Sequence, residues 1–333
     1  LSFDDNECIY KKYFEEKYLK SSKEYYNFIT SKNSIEEYID TSRGHISFEQ
    51  EICNNFLNKC TYNKITSCCI KNFIRNNDNF IYEELVKSLT LEKDIISEKI
   101  YDFYYKYCKD TVLRDENSII SLAFLKYCTM YLDSNLKNIL TNKETDFKTF
   151  IRSIVESYNL FLNKIKLFKD NKIIVKSFEN LFKKHINQDS NRYCNNISKY
   201  LNFIIKSCIK ENEDIDENKE YLSIMNIIKF TNDKDYLENY FIRYLSQRLL
   251  NNTSLEYEYQ VSRKLKLLFG CEFTNKMNTM ISDINVSKRW SDEYKGTSYN
   301  KSKKKFTPLI ATHFIWKLPK SKTVEYPSDL TEN

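Results

Sequence analysis

Glycine and proline are almost missing, with 3 of each in 333 residues. Phosphate-binding loops, dinucleotide folds and β-sandwiches need Gly or Pro at turns with special backbone angles, so most nucleotide-binding architectures are disfavoured. No Pro occurs before position 308, and Pro308, Pro319 and Pro327 all fall in the last 26 positions, which predicts a long helical body followed by a short non-helical tail. Histidine is scarce as well. His45, His185 and His313 lie far apart, and none has a second ligand at helical spacing, so no zinc site is expected. The ten cysteines (Cys8, Cys53, Cys60, Cys68, Cys69, Cys108, Cys128, Cys194, Cys208 and Cys271) contain no C-x-x-C pair. They sit in amphipathic patterns and read as free buried thiols of a reducing compartment. Apolar runs such as Ile119 to Leu125 fall far short of the roughly 20 residues that span a bilayer. Leu1 to Glu7 is acidic rather than signal-like. A soluble intracellular protein is the expectation, and Leu1 suggests part of a longer product.

The motifs of catalysis are absent too. No G-x-x-x-x-G-K-[ST], G-x-G-x-x-G, G-x-S-x-G or H-E-x-x-H occurs, and Gly44, Gly270 and Gly296 are too dispersed to build such loops. Carboxylate pairs such as Glu36 with Glu37 and Asp233 with Asp235 suit the positive end of a helix without any chemistry. Cys68 and Cys69 have no His or Asp at a position that would activate them. No cofactor, metal or catalytic residue is expected.

What is present favours packed helices. Hydrophobic residues make up 41% of the chain and aromatics 15%, including 26 Tyr and 22 Phe, ample for a folded interior. Apolar residues recur at three- and four-residue spacing through position 290, as in Tyr10, Tyr13, Phe14 and Tyr18, or in Ile151, Ile154, Val155, Tyr158, Phe161, Leu162 and Ile165. Ser34 with Glu37 and Thr253 with Glu256 have capping-box spacing. About a dozen helices are predicted, with polar breaks at Asn76 to Asn79, Lys109 to Asn117, Asn187 to Asn191 and the acidic run Glu211 to Glu220. Phe306 to Trp316, β-branched and aromatic with Pro308 near its start, reads as a strand, at its beginning or at an edge.

The net charge of +6 arises from 52 basic and 46 acidic residues without a clustered stripe, so it names no nucleic-acid partner. Lys301, Lys303, Lys304 and Lys305 form the one dense basic run, which fits a solvated linker or, beside Tyr299 and Phe306, a contact with RNA or an acidic partner.

Asn226 to Lys288 stops being generic. It resembles the signature stretch of the cullins, scaffold subunits of multisubunit ubiquitin ligases, which carries an F ahead of D-K-D, a Y ahead of L-A-K-R-L-L, then S, then S-K-L-K-x-x-x-G-x-x-F-T-S-K-L-x-x-M-x-x-D, then S. Phe230, Asp233, Lys234, Asp235, Tyr240, Leu245, Arg248, Leu249, Leu250, Ser254, Lys264, Leu265, Lys266, Gly270, Phe273, Thr274, Lys276, Met280, Asp283 and Ser287 stand at matching places. Fainter likenesses cover Tyr10 to Ile39, Phe147 to Leu162, Ser190 to Lys206, Phe306 to Trp316 and Tyr326 to Leu330, so the resemblance spans essentially the whole chain. Departures include Gln247 for Lys, Arg263 for Ser, Met277 for Leu, and Lys317 where Pro usually follows the Trp.

The resemblance implies a mainly α fold: an elongated stack of cullin-repeat bundles (1–110, second-repeat-like; 111–212, third-repeat-like), then a cullin-homology bundle (213–300) and the first strand of an α/β region (301–333). It implies a non-catalytic, rigid scaffold of a cullin-RING ubiquitin ligase, in cytoplasm and nucleus. Such a scaffold holds a RING-finger subunit with its ubiquitin-conjugating enzyme at a fixed distance from a substrate-receptor adaptor. Neither nucleic acid nor membrane is an implied partner. The adaptor surface belongs to a repeat expected before Leu1, and the acceptor lysine for the ubiquitin-like modifier to a region expected after Asn333. Within the chain, the RING subunit would pair with the strand through Phe306, Leu309, Ile310, Phe314 and Trp316, although these side chains would alternatively pack under the helices of 220–290. The competing reading is a helical-repeat tether for protein or RNA without a ubiquitin role.

Overall fold

The computed structural model describes residues 9–29, 34–142, 144–251, 254–296 and 309–317. These residues are helical almost throughout and include no strand. They form two compact units, one built from 1–138 with 157–182 and the other from 139–156 with 183–333.

In the first unit a π-helical turn, Lys11–Glu15, leads into α1 (Glu16–Ile29), followed by α2 (Ile35–Phe56), α3 (Lys59–Phe73), α4 (Asp78–Thr90), α5 (Asp94–Arg114) and α6 (Ile119–Tyr131). Beyond a second π-helical turn, Leu132–Leu136, come the short α7 (Lys137–Thr141), α8 (Phe147–Lys166) and α9 (Lys172–Ile186), the last two divided between the units. The second unit continues with α10 (Ser190–Glu211), α11 (Lys219–Ile228), α12 (Lys234–Leu250), α13 (Leu255–Phe269) and α14 (Cys271–Gly296).

Helix starts follow local chemistry. Ser118, Asp189 and Asn218 each accept a hydrogen bond on the side chain from the backbone N–H three residues on, satisfying an amide that has no intrahelical partner. Ser34 does occupy the N-cap of α2, but its side chain makes no capping bond, so the expected capping box is not formed. Thr253 lies outside the described residues, and Ser254 takes the N-cap of α13, also without a side-chain bond. The breaks are partly as expected. A 3₁₀ turn occupies Arg75–Asn77 and another Asn187–Asp189, and the acidic run opens where Asn212 adopts a left-handed φ of 53° that ends α10. Between 109 and 114, however, the helix persists to Arg114, kinked at Cys108 rather than broken.

The core of the first unit is aromatic. Phe124, Phe161, Phe168 and Phe178 are all fully buried, with ring centroids 5.4 Å apart for Phe124 and Phe168 and 5.2 Å for Phe161 and Phe178. Such pairs add about 0.5–1.5 kcal/mol each beyond their area burial. The stripe read from α8 is the buried one: Ile151, Ile154, Tyr158, Phe161 and Ile165 are all withdrawn from solvent. The N-terminal stripe is less complete, since Tyr13 and Phe14 remain exposed. Tyr18 and Tyr26 instead donate their hydroxyls to one carboxylate, Glu49 of α2.

Asp78, the first residue of α4, is a weak point. Its Oδ1 is buried without a hydrogen-bond partner, and burial, opposed by the Arg75 charge and the Tyr104 hydroxyl, raises its carboxyl from 3.8 to about 6. The folded state therefore holds this proton more tightly than the unfolded chain does. The stabilisation is complete below pH 3.8 and is lost as pH rises through about 6. Urea unfolding followed across that interval should show a decline in stability that Asp78→Asn diminishes; an unchanged decline would mean that other groups set it.

Candidate functional site

The residues of the signature stretch converge in the second unit for identifiable reasons. On α12, Leu237, Phe241, Leu245 and Leu249 turn inward, and Arg248 turns inward with them. Its guanidinium donates from Nε to Glu258 Oε1 at 2.6 Å, from Nη2 to Glu258 Oε2 at 2.8 Å and from Nη1 to Asn202 Oδ1 at 2.9 Å. The residues are 1% and 0% exposed, Arg248 and Glu258 respectively, so a two-pronged ion pair joins α12 to α13 while the third bond reaches α10.

The turn from α13 into α14 depends on Gly270, whose φ of 94° is a backbone state that other residues rarely adopt, although a Cβ there would meet no atom within 4 Å. Beyond it Phe273, Thr274 and Met280 are buried, the Thr274 hydroxyl donating to the Cys271 carbonyl. Surface ties complete the array. Lys276 pairs with Glu238 at 2.9 Å, the Tyr240 hydroxyl donates to Asn191 at 2.7 Å, and Lys234 lies over the Phe269 ring. Phe230 is buried, and its carbonyl accepts from Asn187. Asp233 and Asp235 stand exposed at the start of α12, and Leu250 is 43% exposed at its end.

Asp283 ties a second segment to α14. Its Oδ2 accepts from the Thr312 backbone N–H and from Trp316 Nε1, both at 2.8 Å, and its Oδ1 accepts the Thr312 hydroxyl at 2.9 Å. One turn on, Ser287 Oγ accepts from the Ile310 N–H at 2.8 Å. Residues 309–317 are thereby strapped to α14. This corrects the strand expected over 306–316. At 309–317 no strand forms, because the N–H groups of Ile310 and Thr312 are taken by α14 side chains and a turn occupies His313 to Ile315. Of the five residues expected to meet a RING subunit, Trp316 is largely buried and pinned, and Leu309 and Ile310 are partly exposed. Phe314 is 89% exposed at a left-handed φ of 68°. Phe306 and the Lys301 to Lys305 run lie outside the described residues.

Glu258 and Asn202 were not singled out from sequence. A signal existed for Glu258: it stands three before Val261 and seven before Leu265, a charge inside an apolar register. Burial pushes the thiols of Cys69 and Cys194 up to about 12, which leaves them protonated and unreactive near neutrality. Among the described residues no three His, Cys, Asp or Glu side chains gather as metal ligands, and no helix is long and apolar enough to cross a membrane.

Two measurements test this geometry. Glu258→Ala removes the carboxylate that balances the buried Arg248 charge and should cost about 3–5 kcal/mol in urea unfolding, whereas replacing both charges together (Arg248→Met with Glu258→Leu) should cost less. The chain has two tryptophans, so in a Trp290→Phe background the emission reports Trp316 alone. Asp283→Ala should shift that emission to the red while the helical circular dichroism stays; an unshifted band would show that Asp283 does not hold the strap.

Comparison with known proteins agrees with this array. The family model described as the cullin alpha solenoid domain matches residues 1–291. Cullin-1 of Caenorhabditis elegans is 20% identical, the match covering 98% of this chain and 44% of that protein. Cullin-1 of Schizosaccharomyces pombe is 22% identical over 99% of the chain and 46% of its own length. Cell division control protein 53 of Saccharomyces cerevisiae is 24% identical, with 92% and 42% covered. The chain thus spans less than half the length of these relatives. With the family model running through both units and up to the helix that carries Asp283, the chain belongs to the cullin family.

Proposed function

We propose that this chain acts as a non-catalytic scaffold of a cullin-RING ubiquitin ligase, keeping a RING-finger subunit and its ubiquitin-conjugating enzyme near a substrate held by a receptor adaptor. Helices that bury one face each and are joined with little Gly or Pro leave few flexible joints, and that suits a spacer. Holding two docked assemblies on one body raises the effective concentration of the charged enzyme at the target lysine, and this gain is lost if the geometry forbids simultaneous engagement. Bond making then falls to the conjugating enzyme.

The observation that carries the reading is the strap. Asp283, a signature residue, holds 309–317 so that Leu309, Ile310 and Phe314 keep apolar surface toward solvent. An apolar side chain in a strained backbone conformation needs a reason, and engagement by a partner supplies one. In this proposal the RING subunit covers these residues, meeting backbone groups other than the N–H groups of Ile310 and Thr312, which α14 already engages.

Co-expression with a RING subunit provides the test. Deleting 306–333 should abolish its co-purification and leave the helical circular dichroism signal in place, and Phe314→Asp in the full chain should reduce capture by about tenfold or more. Undiminished capture by both variants would overturn the assignment.

A further inference from the structure

Between Leu309 and Lys317 the backbone forms neither helix nor strand, and it is tied to the side chains of Asp283 and Ser287 on α14. Thr312 is central to that tie. Its backbone N–H donates to Asp283 Oδ2 at 2.8 Å and its hydroxyl to Oδ1 at 2.9 Å, yet the residue is exposed. Other threonines in the chain are placed differently. Thr90, Thr129 and Thr279 each donate to a carbonyl one turn back in their own helix, and Thr61, which also reaches a carboxylate, that of Glu15, is fully buried. Thr312 thus joins two properties: its hydroxyl holds one segment to another, and it lies where an enzyme can meet it.

An irregular segment tied by side chains detaches at lower cost than a packed helix unwinds, so the strap can be lifted into the extended form that a protein kinase takes. Residues 309–316 contain no Asp, Glu, Lys or Arg, so the kinase that reads them accepts an apolar, aromatic context. Transfer of the γ-phosphoryl group of ATP to Thr312 Oγ1, with loss of the hydroxyl proton and release of ADP, replaces a donor with about −1.5 to −2 of charge. Both oxygens of Asp283 already accept hydrogen bonds, and no described Lys or Arg pairs with this carboxylate. Two anions at hydrogen-bond distance without a cation between them repel, and the strap relieves that cost by leaving α14. We infer that Thr312 is a phosphorylation site whose modification releases 309–317 from Asp283. The release follows from the strap geometry; its effect on a partner rests on the RING-subunit reading above, since the exposed Leu309, Ile310 and Phe314 would lose their fixed places.

Peptide mass spectrometry of the chain isolated from its own cells with phosphatases inhibited should find phosphate on Thr312; its absence there would overturn the inference. In the Trp290→Phe background, Thr312→Glu should move the Trp316 emission further to the red than Thr312→Val, which removes the hydroxyl without adding charge, while the helical circular dichroism stays. With Asp283→Asn, where the repelling charge is gone, the difference between the two Thr312 variants should fall to less than about half. Equal shifts from the two variants, or a difference that survives intact with Asp283→Asn, would each overturn the inference. Capture of a RING subunit separates it from the functional reading: Thr312→Glu should reduce capture by about tenfold or more. A red shift with capture unchanged would support the release and count against RING binding at this surface, whereas capture lost without a shift would overturn the release.

Discussion

A guanidinium withdrawn from water is tolerated only where its donors find acceptors, and the Arg248 cluster meets that condition with a bidentate carboxylate on one side and an amide oxygen on the other. The apolar contacts around it, Leu245 and Leu249 of α12 and Leu265 of α13, bury surface without specifying direction. A small slide of α12 along α13 would keep much of that burial. The same slide would part Arg248 from Glu258 and leave two uncompensated charges inside, at several kcal/mol per ion. Packing thus supplies the bulk of the stability, and the ion pair supplies the register of α10, α12 and α13.

That register is inherited further along the chain. The helix α14 packs on both α13 and α12, and Asp283 and Ser287, one turn apart, face the strap from it. A segment lacking both a sheet partner and a helical pattern must satisfy its backbone amides elsewhere. It does so on two α14 side chains, and the indole N–H of Trp316 ends on the same carboxylate. Where Phe314 and Lys317 point therefore depends on where α14 sits, which depends in turn on the turn at Gly270 and on the buried ion pair behind it.

Much of the helical plan was legible from residue spacing. The α8 stripe, the near absence of Gly and Pro, and the acidic break after α10 each reflect local rules that tertiary context did not override. The strand over 306–316 was misjudged where it is described because β-branched and aromatic composition reports suitability for a half-buried surface, and that surface can be a helix as readily as a sheet. Ser34 was placed rightly and bonded wrongly, since capping spacing cannot reveal whether a side chain has a better partner or only water. In the signature stretch the identities of Arg248, Gly270 and Asp283 were readable as a pattern, while their roles were not. The partners of Arg248 and Asp283 lie 10 to 46 and 29 to 33 positions away, beyond the reach of any local periodicity.

The distribution of these residues bears on function. An enzyme gathers its distinctive side chains around one cavity, where charges are held out of balance for chemistry. Here the distinctive residues are spent at separate points along α12, α13 and α14: an internal ion pair, a left-handed turn, a surface tie from Lys276 to Glu238, and the anchor of the strap. Each is satisfied within the fold, while the Phe314 ring stands in solvent. These residues serve fixed geometry in the second unit, and that is compatible with the scaffold role proposed above.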